Sequence, residues 1–194
     1  MKTCFLLVAA VAAAAFASAR GSTAQAAAAA PPPATTIGAT CQAAHDADSR
    51  VSVTFCRTRL RDAPASNTRF LADAAAAKGV SNANDARREI ATAIERHDKG
   101  NEHEADPIYR SVLVLCEDFY GMIRERYDAA RQAIAEHMYS DVEKELSSVP
   151  STGRSCDDKL ATTRGGSGAS PFLQYCEDNT QIALLTIAIT SLIK

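Results

Sequence analysis

The chain contains no tryptophan, and aromatic residues make up only 6% of it. A groove that stacks nucleic-acid bases needs aromatic platforms and basic surroundings, so that class of partner is disfavoured. The formal net charge is -2. Loss of Lys2 with the leader described below makes it more negative, so nothing favours nucleic acid or an anionic membrane surface. No Cys-x-x-Cys pair occurs, which disfavours zinc ribbons and thioredoxin-like redox sites. No Asn-x-Ser/Thr sequon occurs, so N-glycosylation is not expected. Gly-x-Ser-x-Gly, Walker and His-Glu-x-x-His motifs are all missing. The stretch Gly165-Gly166-Ser167-Gly168 has neither a following lysine nor a preceding strand and reads as a linker. His45, His97, His103 and His137 are scattered, and the acidic turn between His97 and His103 reads as solvated. Asp157 and Asp158 read as surface charge, because catalytic carboxylates need a cleft that perturbs them. The expectation is a protein without catalysis, cofactor or metal.

What is present begins with a leader. Lys2 precedes a continuous apolar run from Phe5 to Phe16, and Ala17-Ser18-Ala19 offers small residues for cleavage. This pattern predicts a signal peptide over residues 1–19, with a second small-residue site as late as Ala26. The run is shorter than the roughly 20 apolar residues that a membrane span requires. Residues 20–36, with Ala26–Ala34 reading AAAAAPPPA, form a low-complexity tether. The remainder suits one domain over 37–194. Six cysteines are present. Cys4 leaves with the leader, so Cys41, Cys56, Cys116, Cys156 and Cys176 remain, and one has no partner within the chain. Their spacing does not choose among the possible pairings.

No segment alternates polar and apolar residues over a useful length; Val51–Phe55 comes nearest. The rest reads as punctuated helices. Residues 37–62 predict a helical hairpin turning near Asp46–Arg50. A helix over Thr68–Lys99 is capped by Ser66 or Asn67, kinked at Gly79 and stopped by Gly100-Asn101, with Phe70, Ala74, Ala77, Ala83, Ile90, Ile94 and His97 on its apolar side. Asp106-Pro107 is a cap followed by a first-turn proline. It opens a helix whose stripe is Leu115, Phe119, Met122, Ile123, Ala130 and Ile134. A helix over Ser140–Ser148 is interrupted by Pro150 and Gly153 and resumes near Cys156–Leu160. The last helix, from Ser170-Pro171 to Leu192, is apolar nearly all round beyond Ile182, which predicts burial on most sides. The fold class is all-α: an antiparallel four-helix bundle over 66–194, preceded by the hairpin.

Four stretches resemble the plant invertase and pectin methylesterase inhibitor family. They are Ile37-x3-Cys41 with Phe55-Cys56-x3-Leu60; Asp106-Pro107 with Leu113-x2-Cys116-x3-Tyr120; Ser155-Cys156-Asp157-Asp158; and the terminal Ile182–Leu192. The resemblance implies a hairpin plus four-helix bundle with bridges Cys41–Cys56 and Cys116–Cys156. It leaves Cys176 as a free thiol, which reads as a small buried hydrophobe. It also implies an inhibitor rather than an enzyme. In some invertase inhibitors a Pro-Lys-Phe motif precedes the fourth cysteine and enters the target's cleft. Met138-Tyr139-Ser140-Asp141-Val142 stands there instead.

The expected partner is therefore a plant pectin methylesterase, with acid invertase as the alternative. Binding would be non-covalent and one-to-one, by a monomer that blocks substrate entry in the apoplast or vacuole, with no membrane association after the leader is removed. The expected contact face combines the third helix and the segment after it: Tyr120, Tyr127, Tyr139, Ser140, Asp141 and Glu145. His137 and the acidic residues near it predict pH-dependent binding. A non-inhibitory helical protein is the second alternative, although the adjacent Cys-Cys and Cys-x-Cys patterns of plant lipid-transfer proteins are missing.

Overall fold

Each of the first three helices starts at a short polar residue that caps it. In the computed structural model, which describes residues 36–64, 67–100, 107–163 and 169–193, helix α1 spans Ile37–Ala47 and α2 spans Val53–Leu60. Thr36 Oγ1 accepts from Ala39 N at 3.2 Å, and Ser52 Oγ accepts from Phe55 N at 3.2 Å. Val51–Phe55, the nearest approach to a strand pattern, thus holds a capped helix start. The expected signal peptide and most of the tether lie outside the described residues. The chain divides into two units, Met1–Pro32 and Pro33–Lys194, and every described residue belongs to the second.

Helix α3 spans Thr68–Asp98. Its cap is Asn67, whose Oδ1 accepts from Phe70 N at 3.0 Å; Ser66 lies outside the described residues. Gly100 follows with φ 65°, a left-handed stop that favours glycine. Helix α3 runs unbroken through Gly79. This glycine lies in close contact with α4: a Cβ there would sit 2.3 Å from Tyr127 Cε1.

Helix α4 spans Pro107–Ala135; Asp106, its expected cap, lies outside the described residues. Its buried stripe is Leu113, Cys116, Tyr120, Ile123, Tyr127, Ala130 and Ile134. The expected stripe was rotated from this one: Met122 is exposed, and Leu115 and Phe119 are only half-buried. The bridge through Cys116 decides the rotation, since it turns that cysteine inward and brings the tyrosines four and eleven residues away onto the same face.

Helix α5 spans Tyr139–Leu146 and α6 spans Val149–Thr163. The expected interruption at Pro150 and Gly153 is displaced to residues 147–148. Pro150 occupies the first turn of α6, where its missing N–H is not needed. Gly153 is buried inside α6 against Cys176. Helix α7 spans Leu173–Ser191, and Pro171 lies in the turn before it. Ile182, Ala183, Leu185, Thr186, Ala188, Ile189 and Thr190 are all buried. The buried threonines satisfy their hydroxyls within α7, Thr186 on Ile182 O and Thr190 on Thr186 O.

Cross-helix pairs give the topology. Asp73–Arg131, Arg87–Glu117 and Asp98–Arg110 run in opposite order along α3 and α4, so the two are antiparallel. Arg126–Glu145 and Cys116–Cys156 do the same for α4 against α5 and α6. Across the bundle centre the Tyr127 hydroxyl donates to Asn179 O at 2.6 Å, and the Tyr120 hydroxyl approaches Phe172 O at 3.5 Å. Both pairs are 52 residues apart, so the diagonal helices α4 and α7 are parallel. The fold is an antiparallel four-helix bundle of α3, α4, the broken α5–α6 pair and α7.

The α1–α2 hairpin packs chiefly on α7 and touches α3. Arg59 pairs with Asp178, and Gln181 contacts both Ser52 N and Arg50 O. Disulfides join Cys41 to Cys56 and Cys116 to Cys156, with Cα separations of 5.7 Å and 5.0 Å. In the chain-entropy account they stabilise by about 3 and about 4 kcal/mol, the second more because its loop is longer. Cys176 is free and buried.

Candidate functional site

The tyrosines expected as anchors lie inside the bundle. Tyr120 and Tyr127 are each 0% exposed, which is a correction: neither ring can meet a partner. Burial pushes the Tyr127 hydroxyl well above the ordinary phenol value, and burial followed by the Asp157 charge does the same at Tyr120. Asp157 is a second correction. It is 8% exposed and is not surface charge, whereas Asp158 is exposed.

The α5 residues fare differently. Ser140 is exposed, and Tyr139, Asp141 and Glu145 are half-buried. Glu145 is held back against α4 by Arg126 at 2.8 Å. Asp141 lies in the first turn of α5, where a carboxylate complements the helix dipole. Tyr139 stands at the junction of α4 and α5, and the junction is built tightly. His137 N–H donates to Ile134 O at 3.3 Å, and Met138 N–H donates to Ala133 O at 2.8 Å. This is a Schellman stop, with His137 at φ 63° where glycine is the usual residue.

The same end of the bundle holds the start of α3. Arg69 Nη1 lies 3.3 Å from His137 Nε2, and its guanidinium lies 5.3 Å from the centre of the Phe70 ring. The His137 and Tyr139 rings meet edge to face at 5.9 Å. Phe70 is 44% exposed and Met138 43% exposed. Beside them a groove of about 440 Å³ is lined by Arg69, Phe70, Asp73, Arg131, Gln132, Ile134 and Ala135. The Asp73–Arg131 pair at 2.9 Å braces it and raises the pKa of the Arg131 guanidinium. Phe70 had been expected on the apolar face of α3; here it stands at the rim. Arg69 and Met138 carried no signal in the sequence, since their neighbours come from helix ends 68 positions apart.

This end is an exposed surface that mixes apolar, aromatic and cationic side chains. Two exposed hydrophobic side chains, a half-buried tyrosine and an arginine are held in place by an α3 cap, a braced ion pair and a tight helix stop. Aromatic and arginine side chains on a rigid support are the kind that dominate protein interfaces. Among the described residues no group of three His, Cys, Asp or Glu side chains could hold a metal ion. A profile of the plant invertase/pectin methylesterase inhibitor family matches residues 35–188, which covers both disulfides, the bundle and this end.

The chain belongs to the plant invertase/pectin methylesterase inhibitor family. That places it among inhibitors rather than enzymes. It is also similar to "Pectinesterase inhibitor 8" of Oryza sativa subsp. japonica, with 31% identity over 165 residues, 81% of this chain and 85% of that protein. No solved structure gives a significant match. Among the described residues, no helix is long and apolar enough to cross a membrane.

Proposed function

We propose that this inhibitor acts on a pectin methylesterase, forming a one-to-one non-covalent complex that covers the enzyme's active cleft and excludes substrate. The observation that carries the choice of enzyme is the similarity to a protein named pectinesterase inhibitor across most of both chains. The residues at 138–142, Met-Tyr-Ser-Asp-Val where some invertase inhibitors carry Pro-Lys-Phe, point the same way. The Phe70–Met138–Tyr139 end, with Arg69 and His137, is the contact surface in this reading, and Ser140 and Asp141 extend it along α5. The disulfides and the packed bundle limit what must be ordered on binding, so more of the contact energy appears as affinity. The protein acts as a monomer in the apoplast, with the vacuole as the other compartment its leader allows. In this reading binding depends on pH.

The test is titration of the oxidised chain, without its leader, against a plant pectin methylesterase and against acid invertase, at acid and neutral pH. Stoichiometric inhibition of the esterase alone is the expected outcome. Inhibition of invertase alone transfers the reading to that enzyme, and inhibition of neither ends it for both. Affinity that is the same at acid and neutral pH removes the pH dependence from the reading.

A further inference from the structure

The groove at the start of α3 is lined by an arginine that the fold leaves without a counter-charge. Arg69 stands in the first turn of α3, which holds no acidic residue and where the helix dipole favours an anion over a cation. The side chain is half-buried, with its guanidinium 5.3 Å from the centre of the Phe70 ring and its Nη1 3.3 Å from His137 Nε2. Among the described residues the ion pairs at this end are Asp73–Arg131 and Arg126–Glu145, and neither includes Arg69. Asp73 is held by Arg131 through contacts of 2.9 Å and 3.4 Å. Glu136 accepts from Gln132 Nε2 at 2.9 Å. The carboxyl end of α4 is closed by its own stop, where Ile134 O and Ala133 O accept from the His137 and Met138 N–H groups.

The rest of the lining offers different chemistry. Phe70 is 44% exposed and Ile134 is buried beneath the groove. With its N–H on Glu136, Gln132 has its carbonyl oxygen left to accept from a hydroxyl. The volume of about 440 Å³ falls within the range of small-molecule sites, about 300–1,000 Å³. A guanidinium, an aromatic face and a hydroxyl acceptor in one concavity match a sugar acid. The carboxylate pairs with the guanidinium, a hydroxyl donates to the amide, and the C–H side of the sugar covers the ring. A simple inorganic anion would leave the ring uncovered, and an apolar ligand would leave Arg69 unpaired.

We propose that this groove binds a carboxylate-bearing sugar unit of a uronate chain, with Arg69 as the anion's partner. The choice of a uronate rests on the pectin methylesterase reading above. Hydrolysis of a sugar methyl ester consumes water, releases methanol and a proton, and leaves a carboxylate on the chain. The groove therefore takes the product of that enzyme in preference to its esterified substrate. Because it opens on the surface assigned to the enzyme, product chain and enzyme exclude one another there, and accumulating product relieves inhibition.

Calorimetric titration of the oxidised inhibitor alone, in low salt, with trigalacturonate and with its methyl-esterified form reads the groove in the absence of any enzyme. The acid form is expected to bind at least about tenfold more tightly than the ester, and Arg69→Gln to lose at least about tenfold for the acid form. Arg50→Gln, at an exposed arginine of the hairpin paired with Asp48, is expected to lose nothing. Amide NMR shifts on titration are expected at Phe70, Gln132 and Ala135 and not in the hairpin, and they decide the matter should Arg69→Gln fail to fold. Equal binding of acid and ester, binding of neither, equal losses from the two variants, or shifts confined to other regions each overturn the proposal. Tighter binding of an aspartate-rich peptide than of trigalacturonate also overturns it and gives the groove to an acidic protein segment. In the esterase assay, saturating trigalacturonate is expected to weaken inhibition, and unchanged inhibition overturns the competition. A chain that binds the sugar acid yet inhibits no esterase keeps the site and loses the enzyme reading, so the two failures are distinct.

Discussion

Replacing Gly79 by alanine tests the packing between α3 and α4 most sharply. In an unconstrained helix the change stabilises by about 1 kcal/mol, because alanine is the better helix former. Here the new Cβ would lie 2.3 Å from Tyr127 Cε1 and 2.4 Å from Cδ1 and Cζ. Comfortable carbon–carbon contact is about 3.5–4.0 Å, so ring or helix must move by more than an ångström. The ring is 0% exposed, and its hydroxyl is committed to Asn179 O at 2.6 Å. Overpacking costs about 1–3 kcal/mol, and a strained or broken buried hydrogen bond adds about 1 kcal/mol. The balance is a net loss of about 2 kcal/mol, or about 4–8 °C in Tm for a domain of this size. Thermal unfolding followed by far-UV circular dichroism, with both disulfides intact, measures it. In a Tyr127→Leu background the same alanine is expected to cost nothing or to stabilise. A Gly79→Ala protein as stable as wild type would refute the claim that close approach requires this glycine.

Three further outcomes follow from the structure. His137→Gly relieves a left-handed residue and is expected to stabilise by about 0.5–1 kcal/mol in denaturant melts, yet to weaken inhibition because it removes the ring between Arg69 and Tyr139; a variant that inhibits more strongly would remove His137 from the contact surface. Phe70→Ala and Tyr139→Ala are each expected to weaken inhibition at least tenfold, about 1.4 kcal/mol, with unfolding midpoints close to wild type, whereas equal losses from changes at the opposite bundle end would displace the surface. Stability is expected to fall as pH rises between 9.0 and about 12, because Cys176 holds its proton in the folded state beyond the point where the unfolded chain releases it; Tyr120 and Tyr127 act in the same direction. Urea melts across that range would show a shallower fall in Cys176→Ser.

Much of the architecture was legible because it is local. Asn67, Pro107 and Gly100 mark helix ends through groups within a few residues of themselves, and the apolar C-terminal helix identifies itself as the bundle's buried member. The resemblance named the two disulfide pairs, and the structure holds those same pairs. The rotation of α4 was not legible. Its apolar residues fit more than one stripe, and the choice that buries Tyr120 and Tyr127 depends on a bridge to α6 and on carbonyls of α7. That choice removed two expected anchors from the surface, while Phe70 on α3 stands at a rim.

The sequence by itself determined the fold class, the starts of α1, α3 and α4 and the family, since each rests on short-range chemistry or on motifs in fixed order. The tertiary structure alone decided which residues are available to a partner. Arg69 and His137 meet only because antiparallel helices return the chain to the same end, and Gly153 meets Cys176 only because α6 and α7 pack together. Periodicity says that a helix has a buried side, while the neighbours it packs against decide which side that is.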